Sequence, residues 1–385
     1  MDFRRIARRR LPWPAFNYLD GGADDEYTLS RNTAAFDDYE LLPSQLSDVS
    51  SIDTSTTLLG EHMAWPVMIS PTGASKLFHA DGEPAVVRAA EKFGMIYSLS
   101  TLGTATIEDV AAIGSGPKMY QVYMFKDRGL TENFVERCKA AQYSALCLTV
   151  DTPLAGNRER DLVTGFAAPP KGSFRGHLNY IRQLPLRSLV SFARHPGWLA
   201  RAMIKEDLEL VNITSNPNAK DIDTGIVEYI NEQFDRSLTW KEVEWLAQRW
   251  NGPLVIKGVQ TVEDCRKAAD SGATAVMLSN HGGRQLEGAP APVDCIAAVA
   301  DELRDRLEII CDGGVRRGTH VVKALALGAN ACSIGRGYLY ALAAGGQAGV
   351  ERALELLKSE VERTLALVGC SSVAKLGRSY VRLRR

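Results

Sequence analysis

The chain has 385 residues, of which 45% are hydrophobic and 24% are charged, and its formal net charge is −1. This composition is typical of a soluble globular protein with a large core, and the near-zero charge argues against nucleic-acid binding. The seven cysteines show no CxxC spacing, which favours reduced thiols in a cytoplasmic protein over a disulfide framework or a zinc site. No apolar run is long enough to span a bilayer, and the basic N-terminus lacks the apolar segment of a secretory signal.

Eight short apolar runs follow one another along the chain, separated by stretches of helical character. They are continuous rather than alternating, as expected for parallel strands that are buried on both faces. Three of them follow a helix-like stretch that stops at a glycine, which favours the end of a helix. The runs are VMISPT (67–72), IYSLST (96–101), KMYQVY (118–123), ALCLTVD (145–151), LVIKGV (254–259), AVMLSN (275–280), EIICDGG (308–314) and ACSIGR (331–336).

This alternation predicts a single (β/α)8 TIM barrel over residues 1–385, with an open doubly wound sheet as the alternative fold. Polar residues gather at the C-terminal ends of the runs, where barrels of this type build their active sites. Strand ends also turn polar where they reach water, but a full ring of hydrogen-bonding and ionisable residues favours a site. The ring comprises Thr72, Ser100, Gln121, Tyr123, Thr149, Asp151, Lys257, Ser279, His281, Asp312, Arg316 and Arg336.

Glycine and arginine residues dominate the loops after the last two strands, which read DGGVRRG (312–318) and IGRGYLY (334–340). Backbone amides and fixed positive charge at this position of a barrel favour a phosphate group. The phosphate belongs either to a phosphorylated substrate or to flavin mononucleotide (FMN). Lys257 favours FMN, because a buried cation stabilises the negative charge of a reduced flavin. A strand-end ion pair is the alternative for this lysine.

A histidine and an arginine separated by two glycines follow the sixth strand, in SNHGGRQL (279–286). Neutral imidazole accepts a proton near neutral pH, and guanidinium binds a carboxylate through two parallel hydrogen bonds. The glycines between His281 and Arg284 keep the backbone of this turn bare, so that another molecule can approach it closely.

The segments SNHGGRQL, LTVDTP, QVY, IKGV and DGGVRRGTHVVKALALGA together resemble the FMN-dependent L-2-hydroxy acid oxidising family. That family includes glycolate oxidase, lactate dehydrogenase, lactate monooxygenase and mandelate dehydrogenase. The resemblance extends from Leu11 to Cys370 and is strongest to the membrane-associated (S)-mandelate and L-lactate dehydrogenases. It implies a barrel that holds FMN non-covalently and oxidises an L-2-hydroxy acid to the 2-oxo acid.

The resemblance also implies roles for single residues. His281 resembles the active-site base and Asp151 its carboxylate partner, and Tyr123 joins this catalytic group. The base removes either the hydroxyl proton or the α-proton, since both schemes use the same residues. The implied substrate contacts are Tyr18, Tyr123, Arg158 and Arg284. The implied FMN contacts are Pro71, Thr72, Gly73, Ser100, Gln121, Thr149, Lys257, Ser279, Asp312, Gly314, Arg316, Gly335 and Arg336.

Two positions bear on the substrate. Gly73 stands where members like glycolate oxidase carry alanine, and Leu102 stands where they carry tryptophan. The smaller side chains favour a dehydrogenase with a medium-sized or aromatic substrate, and neutral drift in a packed wall is the alternative.

The segment 152–238 forms a long insertion between the fourth and fifth strands. Within it, residues 173–205 carry six Arg or Lys residues and no acidic residue. This pattern is typical of an amphipathic segment at a membrane interface, with Trp198 at headgroup depth and with prolines at 185 and 196 dividing it into short helices. The membrane-associated members of the family carry a similar insertion. An active-site lid or a subunit contact is the alternative.

The sequence thus predicts oxidation of a lactate- or mandelate-like acid, with electrons passed from FMN to a membrane quinone. An oxidase that gives hydrogen peroxide is the alternative within this chemistry. An isomerase or nucleotide-processing barrel is a rival from another class, but the His281 loop lacks the cysteine that a covalent nucleotide dehydrogenase needs. The resemblance implies a homotetramer, located in the cytoplasm or peripherally on the inner face of the cell membrane.

Overall fold

A computed structural model of the protein describes residues 2–166, 182–204, 209–214 and 232–384. The strands in these residues are β1 (Tyr39–Leu41), β2 (Thr56–Leu58), β3 (Glu61–Met63), β4 (Val67–Ile69), β5 (Tyr97–Ser100), β6 (Lys118–Val122), β7 (Ala145–Thr149), β8 (Leu254–Val259), β9 (Ala275–Ser279), β10 (Glu308–Asp312), β11 (Ala331–Ile334) and β12 (Val381–Leu383). Strands β4 to β11 form one parallel sheet in the order β4-β11-β10-β9-β8-β7-β6-β5. The two strands at the ends of this order also meet. The N–H of Ile69 donates to the carbonyl of Ile96 at 3.0 Å, and Thr72 and Leu99 form a parallel bridge. The sheet therefore closes, and the predicted (β/α)8 barrel is confirmed.

Helices surround the barrel and alternate with its strands. They are α1 (Asp2–Arg10), α2 (Trp13–Asp20), α3 (Tyr27–Ala34), α4 (Gly82–Lys92), α5 (Ile107–Ile113), α6 (Arg128–Ala140), α7 (Glu159–Thr164), α8 (Leu186–Ala193), α9 (Pro196–Ile204), α10 (Val211–Thr214), α11 (Trp240–Trp250), α12 (Val262–Asp270), α13 (Pro292–Leu303), α14 (Gly318–Ala326) and α15 (Arg336–Val368). Helix α15 changes direction at 345–346, where both glycines leave helical geometry. In the described residues, no helix combines the length and the apolar character needed to cross a bilayer.

Each of the eight predicted runs contains a strand of the barrel, but most strands end earlier than predicted. Strand β10 ends at Asp312, because Gly313 and Gly314 adopt positive φ angles of 145° and 73°. Strand β4 ends at Ile69, three residues before the end of its predicted run. The residues that the prediction counted as strand ends are therefore the first residues of the loops, which is where a site can form.

The inside of the barrel is filled by side chains and closed at its N-terminal end. Met68, Met119 and Met277 are fully buried in one cluster, and Leu58 of the β2–β3 hairpin belongs to the same cluster. The carboxylate of Glu308 accepts a hydrogen bond of 2.7 Å from the N–H of residue 59, which fixes the hairpin across this end. A ligand can therefore reach the barrel only from its C-terminal end.

The described part of the predicted insertion packs against the barrel and the N-terminal helices. The hydroxyl of Ser191 in α8 accepts a hydrogen bond of 2.7 Å from the N–H of Trp13. The indole N–H of Trp198 donates to the carbonyl of Leu77 at 2.8 Å, and its ring stacks on Phe192. Both contacts hold Trp198 against neighbouring segments of the protein. Residues 173–181 and 205 of the predicted membrane segment lie outside the described residues.

Candidate active site

The turn after β9 places His281 at the C-terminal end of the barrel. His281 has a φ of 58°, a left-handed conformation that is uncommon for a residue with a side chain. Its N–H donates to the hydroxyl of Ser279 at 3.0 Å, and the N–H of Gly283 donates to the Asn280 side chain at 3.0 Å. Asn280 in turn exchanges two hydrogen bonds, of 2.6 and 2.7 Å, with the amide of Asn32 in α3. These contacts hold the strained turn in one conformation.

The three predicted catalytic residues meet in this turn. Nδ1 of His281 lies 2.9 Å from Oδ1 of Asp151, which follows β7. The hydroxyl of Tyr123, which follows β6, lies 3.5 Å from Nε2 of His281. With Asp151 ionised, Nδ1 carries the proton and donates it to the carboxylate. The lone pair of Nε2 is then available at the mouth of the barrel.

The charges around His281 favour its neutral form. Burial lowers the pKa of His281, and the cations Lys257 and Arg284 act in the same direction, while Asp151 opposes them without reversing the shift. Burial raises the pKa of Asp151, but His281 and Lys257 outweigh this effect, and the net shift is downward. At neutral pH the site therefore holds a neutral imidazole beside a carboxylate, as a general base requires.

The four predicted substrate contacts lie together beside this base. The guanidinium of Arg284 donates to the carbonyls of Tyr18 and Gly21, at 2.7 and 3.1 Å. Its central carbon lies 4.9 Å from the centre of the Tyr18 ring, and that of Arg158 lies 5.6 Å from the same ring. Arg158 also forms an ion pair of 3.5 Å with Asp161. One tyrosine ring thus contacts both arginines.

The positive charges of Arg158 and Arg284 are only partly balanced by nearby carboxylates. Burial, together with the adjacent charge of Arg158, lowers the pKa of Arg284 to about 10, so its guanidinium stays charged at neutral pH. Arg336 lowers this pKa further, while Asp161 and Tyr18 oppose the shift. An anion placed between Arg158 and Arg284 would relieve this repulsion, so the cluster favours a carboxylate ligand.

Beneath the base, a buried lysine and a buried aspartate share a network of hydroxyl groups. Nζ of Lys257 lies 3.6 Å from Oδ2 of Asp312 and 3.3 Å from the hydroxyl of Ser279. That hydroxyl donates to Oδ2 of Asp312 at 2.8 Å, and the hydroxyl of Ser70 donates to its Oδ1 at 2.9 Å. All four residues belong to the wall of the barrel or its rim, so this network forms the floor of the site.

Three buried polar atoms above this floor have no hydrogen-bond partner among the described residues. They are Nε2 of Gln121, Oγ1 of Thr149 and Oδ2 of Asp151. Oε1 of Gln121 is already occupied by the hydroxyl of Ser100 at 2.9 Å, which turns the amide donor away from the wall. Buried polar atoms are rarely left unpaired unless a ligand or water completes them. The donor and acceptor set fits the polar edge of a flavin ring.

Of the two predicted phosphate loops, the one after β11 leaves space that a phosphate can fill. A methyl group placed on Gly337 would meet no atom within 4 Å, and one on Gly335 would stay 3.6 Å or more from its neighbours. Both lie at the N-terminus of α15, where free amides favour an anion. Gly314, in the other loop, has no such space, because a methyl group there would lie 1.8 Å from the carbonyl oxygen of Asn32.

The two arginines of the phosphate loops differ in their partners. Arg336 donates to three backbone carbonyls, of Leu19, Gly21 and Gly282, at 3.0, 2.6 and 2.7 Å. It therefore ties the segment 19–21 to the turn at Gly282, a role in addition to the phosphate contact that was predicted for it. Arg316 donates only to its own loop, at the carbonyl of residue 315, among the hydrogen bonds of the described residues.

The remaining predicted contacts, residues 71–73, form a wall beside the site. The hydroxyl of Thr72 is hydrogen-bonded to that of Tyr338. A methyl group on Gly73 would lie 3.0 Å from Cβ of Leu102, and the N–H of Ala74 donates to the carbonyl of residue 102 at 2.8 Å. Gly73 and Leu102, the two positions predicted to bear on the substrate, are therefore in direct contact.

Two positioning residues escaped the sequence analysis. Gln285 donates to the carbonyls of Asp151 and Leu154, at 2.8 and 2.9 Å, and so fixes the loop that carries the carboxylate partner of the base. It lies inside SNHGGRQL, so the same motif could have indicated it. The buried carboxylate of Glu83 accepts hydrogen bonds from the N–H groups of Ser75 and Thr104, at 3.2 and 2.8 Å, and joins the two loops of the wall. No local pattern marks Glu83.

Comparison with known proteins identifies relatives along the whole chain. The sequence profile of the FMN-dependent dehydrogenase family matches residues 7–383. The chain is 41% identical over 386 residues to a putative L-lactate dehydrogenase of Mycobacterium tuberculosis, covering 100% of this chain and 89% of the relative. It is 40% identical over 381 residues to glycolate oxidase 1 of Zea mays, covering 99% of this chain and 94% of the relative.

Solved structures agree with this assignment. The fold is similar to that of a monotopic membrane protein, (S)-mandelate dehydrogenase, with a TM-score of 0.89, 34% identity, and coverage of 100% of this chain and 98% of that chain. It is also similar to mandelate oxidase, with a TM-score of 0.83, 33% identity, and the same two coverages.

The close packing of Gly314 generates a prediction about FMN. A Gly314→Ala substitution places a methyl group 1.8 Å from the Asn32 carbonyl, at a φ of 73° that alanine rarely adopts. We expect the loop to move and the affinity for FMN to fall at least about tenfold, which corresponds to about 1.4 kcal/mol. Titration of the apoprotein with FMN, followed by flavin fluorescence, measures this change.

Gly377→Ala is the matched control, since a methyl group there meets no atom within 4 Å and the backbone is extended. Equal FMN affinity in the two variants would contradict the proposed place of this loop in cofactor binding.

Proposed function

We infer the function of the chain from one premise, which is that it belongs to the FMN-dependent dehydrogenase family. FMN is its cofactor, and its reaction is the oxidation of a 2-hydroxy acid. We propose that the substrate is an L-2-hydroxy acid of the lactate or mandelate type, which becomes the 2-oxo acid. The observation that carries this proposal is the His281–Asp151 pair, with a neutral imidazole, next to Arg158 and Arg284, whose neighbouring charges repel each other although Asp161 pairs with Arg158.

The arginine cluster binds the substrate carboxylate in this proposal. Arg284 is already fixed by two backbone carbonyls, so it loses little conformational freedom when an anion binds. Arg158 is partly exposed and reaches the same tyrosine ring from the insertion. The hydroxyl of Tyr18 is available to the same ligand. Together these groups orient the α-carbon of the acid toward the base.

His281 accepts the proton that leaves the substrate. Its Nε2 is the free nitrogen, because Nδ1 donates to Asp151. The carboxylate of Asp151 stabilises the imidazolium that forms when Nε2 is protonated. Burial raises the pKa of the Tyr123 phenol, so this residue stays a neutral hydrogen-bond donor near the reacting oxygen.

FMN, when bound, accepts the two electrons that leave the α-carbon of the substrate. Gln121, Thr149 and Lys257 would hold the polar edge of its ring, as their free or charged atoms at the rim of the barrel support. The loops 313–316 and 335–337 would hold its phosphate, and the open space beside Gly335 and Gly337 supports the second of these loops. The remaining predicted contacts in 71–73 would cover one face of the ring.

The wall formed by Gly73 and Leu102 supports a substrate larger than glycolate. Neither residue carries an aromatic ring, and Leu102 is only partly buried. Glu83 holds the two loops of this wall together, which keeps the space beside it constant. We therefore favour an acid with a methyl or phenyl side chain.

A basic and apolar surface supports peripheral binding to a membrane, with a quinone as the electron acceptor. Leu186 and Val190 are exposed and lie on one face of α8, with 76% and 43% of their surface accessible. The side chain of His195, after α8, approaches the carbonyl of Arg9 at the end of α1, so the two helices adjoin. The exposed arginines of this surface are Arg5, Arg8, Arg9, Arg10, Arg182, Arg187 and Arg194. Anionic lipids attract such a surface.

Use of oxygen as the electron acceptor is the alternative, and similarity to mandelate oxidase favours it.

Anaerobic visible spectroscopy tests the proposed reaction. We expect the flavin band to be bleached by (S)-mandelate and by L-lactate, and to recover faster with a soluble quinone than with oxygen. Absence of bleaching with both acids would refute the function. Faster recovery in air would assign the enzyme to the oxidases.

The same assay on Leu102→Trp tests the pocket wall. A tryptophan beside Gly73 would occupy the space of the larger side chain. We expect the rate with mandelate to fall at least tenfold relative to the rate with lactate, as steric exclusion in a packed pocket is worth about 1–3 kcal/mol. An equal fall for both acids would place the substrate side chain elsewhere.

The pH dependence of kcat/KM tests the base. Because the pKa of His281 is lowered and the base is active when neutral, we expect activity to rise with pH and to be half-maximal below about pH 6.5. In Asp151→Asn the group that raises this pKa is gone. The acidic limb should then move to lower pH, and the plateau should fall by on the order of 10²–10⁴-fold.

Asp270→Asn, at an exposed carboxylate, is the control for this series. A limb that moved to higher pH in Asp151→Asn would exclude the assigned hydrogen bond.

Sedimentation with vesicles tests the membrane surface. We expect binding to vesicles of phosphatidylglycerol but not of phosphatidylcholine, and weaker binding at high salt. The double variant Leu186→Ser/Val190→Ser should lower the bound fraction about tenfold, because two aliphatic side chains lose their contact with lipid. The control Leu46→Ser/Leu383→Ser changes exposed residues outside this surface. Equal binding by both variants would contradict the assignment.

A further inference from the structure

We infer that Asp312 sets the reduction potential of the bound FMN. Its buried carboxylate offsets the charge of Lys257 and holds the potential below the value that Lys257 alone would give. The inference rests on the proposed function in one respect, the position of FMN at the C-terminal end of the barrel.

The two charges are deeply buried and lie on strands that flank β9. Lys257 is 3% exposed and Asp312 is 7% exposed. Their charged atoms are 3.6 Å apart, which is too long for a direct hydrogen bond. Ser279 of β9 lies between them and bridges both. The two charges are therefore close enough to interact strongly, but they are joined through the hydroxyl of Ser279 rather than by a direct hydrogen bond.

The carboxylate of Asp312 is held in one orientation by hydroxyl groups. Ser70 donates to Oδ1 at 2.9 Å, and Ser279 donates to Oδ2 at 2.8 Å. Ser279 lies on β9, the strand next to that of the aspartate, and Ser70 directly follows β4; neither carries a charge. They stabilise the ionised carboxylate without cancelling its negative charge, which acts on whatever occupies the rim of the barrel.

Lys257 remains charged in this environment. Burial lowers its pKa, but the carboxylates of Asp151 and Asp312 outweigh that effect and raise the pKa above its usual range. Lys257 thus faces two anions, of which Asp151 already serves the base. Asp312 is therefore the anion that is left to offset the charge of Lys257 beneath the flavin.

The sign of the effect follows from electrostatics. Reduction of FMN adds negative charge to its ring, and a charge in a buried site acts on it with little screening. A positive charge stabilises the reduced form, and a negative charge destabilises it. Removing the charge of Asp312 should therefore raise the reduction potential, and removing that of Lys257 should lower it.

A role limited to holding the cofactor makes a different prediction. A hydrogen bond to the sugar chain of FMN contributes equally to the oxidised and the reduced states, so its loss weakens binding and leaves the potential unchanged. A shift in potential at constant FMN occupancy therefore separates the charge role from a contact role.

The experiment measures the FMN potential of the holoenzyme and three variants, Asp312→Asn, Lys257→Met and the double variant. Each is reduced slowly under anaerobic conditions, by light or a chemical reductant, in equilibrium with a reference dye. We expect Asp312→Asn to favour the reduced form at least about tenfold, or about 30 mV for a two-electron couple. Lys257→Met should shift the equilibrium the other way by a similar factor, and the double variant should lie near the native value.

The double variant also covers the case in which Asp312→Asn fails to hold FMN. Replacing both members of a buried pair is tolerated better than removing one, because no charge is left unpaired. A potential of the double variant above that of Lys257→Met supports the inference. Equal potentials in these two variants, or an unchanged or lower potential in Asp312→Asn, would overturn it. Asp270→Asn is the control for an exposed carboxylate.

The outcome is independent of the substrate. Reduction by light or by a chemical reductant needs no hydroxy acid, so an enzyme that ignores mandelate and lactate still yields a potential. Failure of the proposed function and failure of this inference are therefore seen in different measurements.

Discussion

The close packing of α3 against two glycine turns fixes the geometry on which the site depends. A methyl group on Gly283 would lie 2.5 Å from the backbone nitrogen of Leu29, and one on Gly314 would lie 1.8 Å from the carbonyl oxygen of Asn32. The side chain of Asn32 also pairs with Asn280, next to the base. One helix is thus the common support of the base turn and a phosphate loop. Small displacements of a reacting group lower the rate strongly. A shared support of this kind fixes the position of His281 relative to the loop at Gly314.

The buried charges of the site are arranged so that each has a distinct task. Burial and the neighbouring cations favour the neutral form of His281, and in the proposed reaction Asp151 stabilises the charge that His281 acquires. Burial and the charge of Arg158 lower the pKa of Arg284, and a substrate carboxylate between the two arginines would relieve their repulsion. In the proposed reaction the same substrate supplies both the anion and the proton. Selection and proton transfer are therefore linked through the net positive charge of the cluster.

The sequence was sufficient to predict the barrel, because buried parallel strands require continuous apolar runs and loops at their C-terminal ends require polar residues. It also indicated His281, Arg284 and their partners, which lie in motifs of distinctive composition. The ends of the strands were predicted too late in the chain. Pro71 and Gly313 were counted within their runs, although proline and glycine both favour the end of a strand and the two strands end before them. The short strands β1 and β12 were not predicted, since they pair across almost the whole chain.

Gln285 and Asn32, two residues that sequence analysis missed, have one physical property in common. They hold loops in place, and their partners are remote: Gln285 is 134 residues from Asp151, and Asn32 is 248 residues from Asn280. An amide side chain has no composition signature that separates such a role from solvation at the surface. Trp198 shows the same dependence on distant partners, because the indole N–H of a residue in the basic, apolar segment donates to the carbonyl of Leu77, which no local pattern indicates. Ligand-binding groups are recognisable by their chemistry, whereas supporting groups become recognisable only when the closed barrel brings distant segments together.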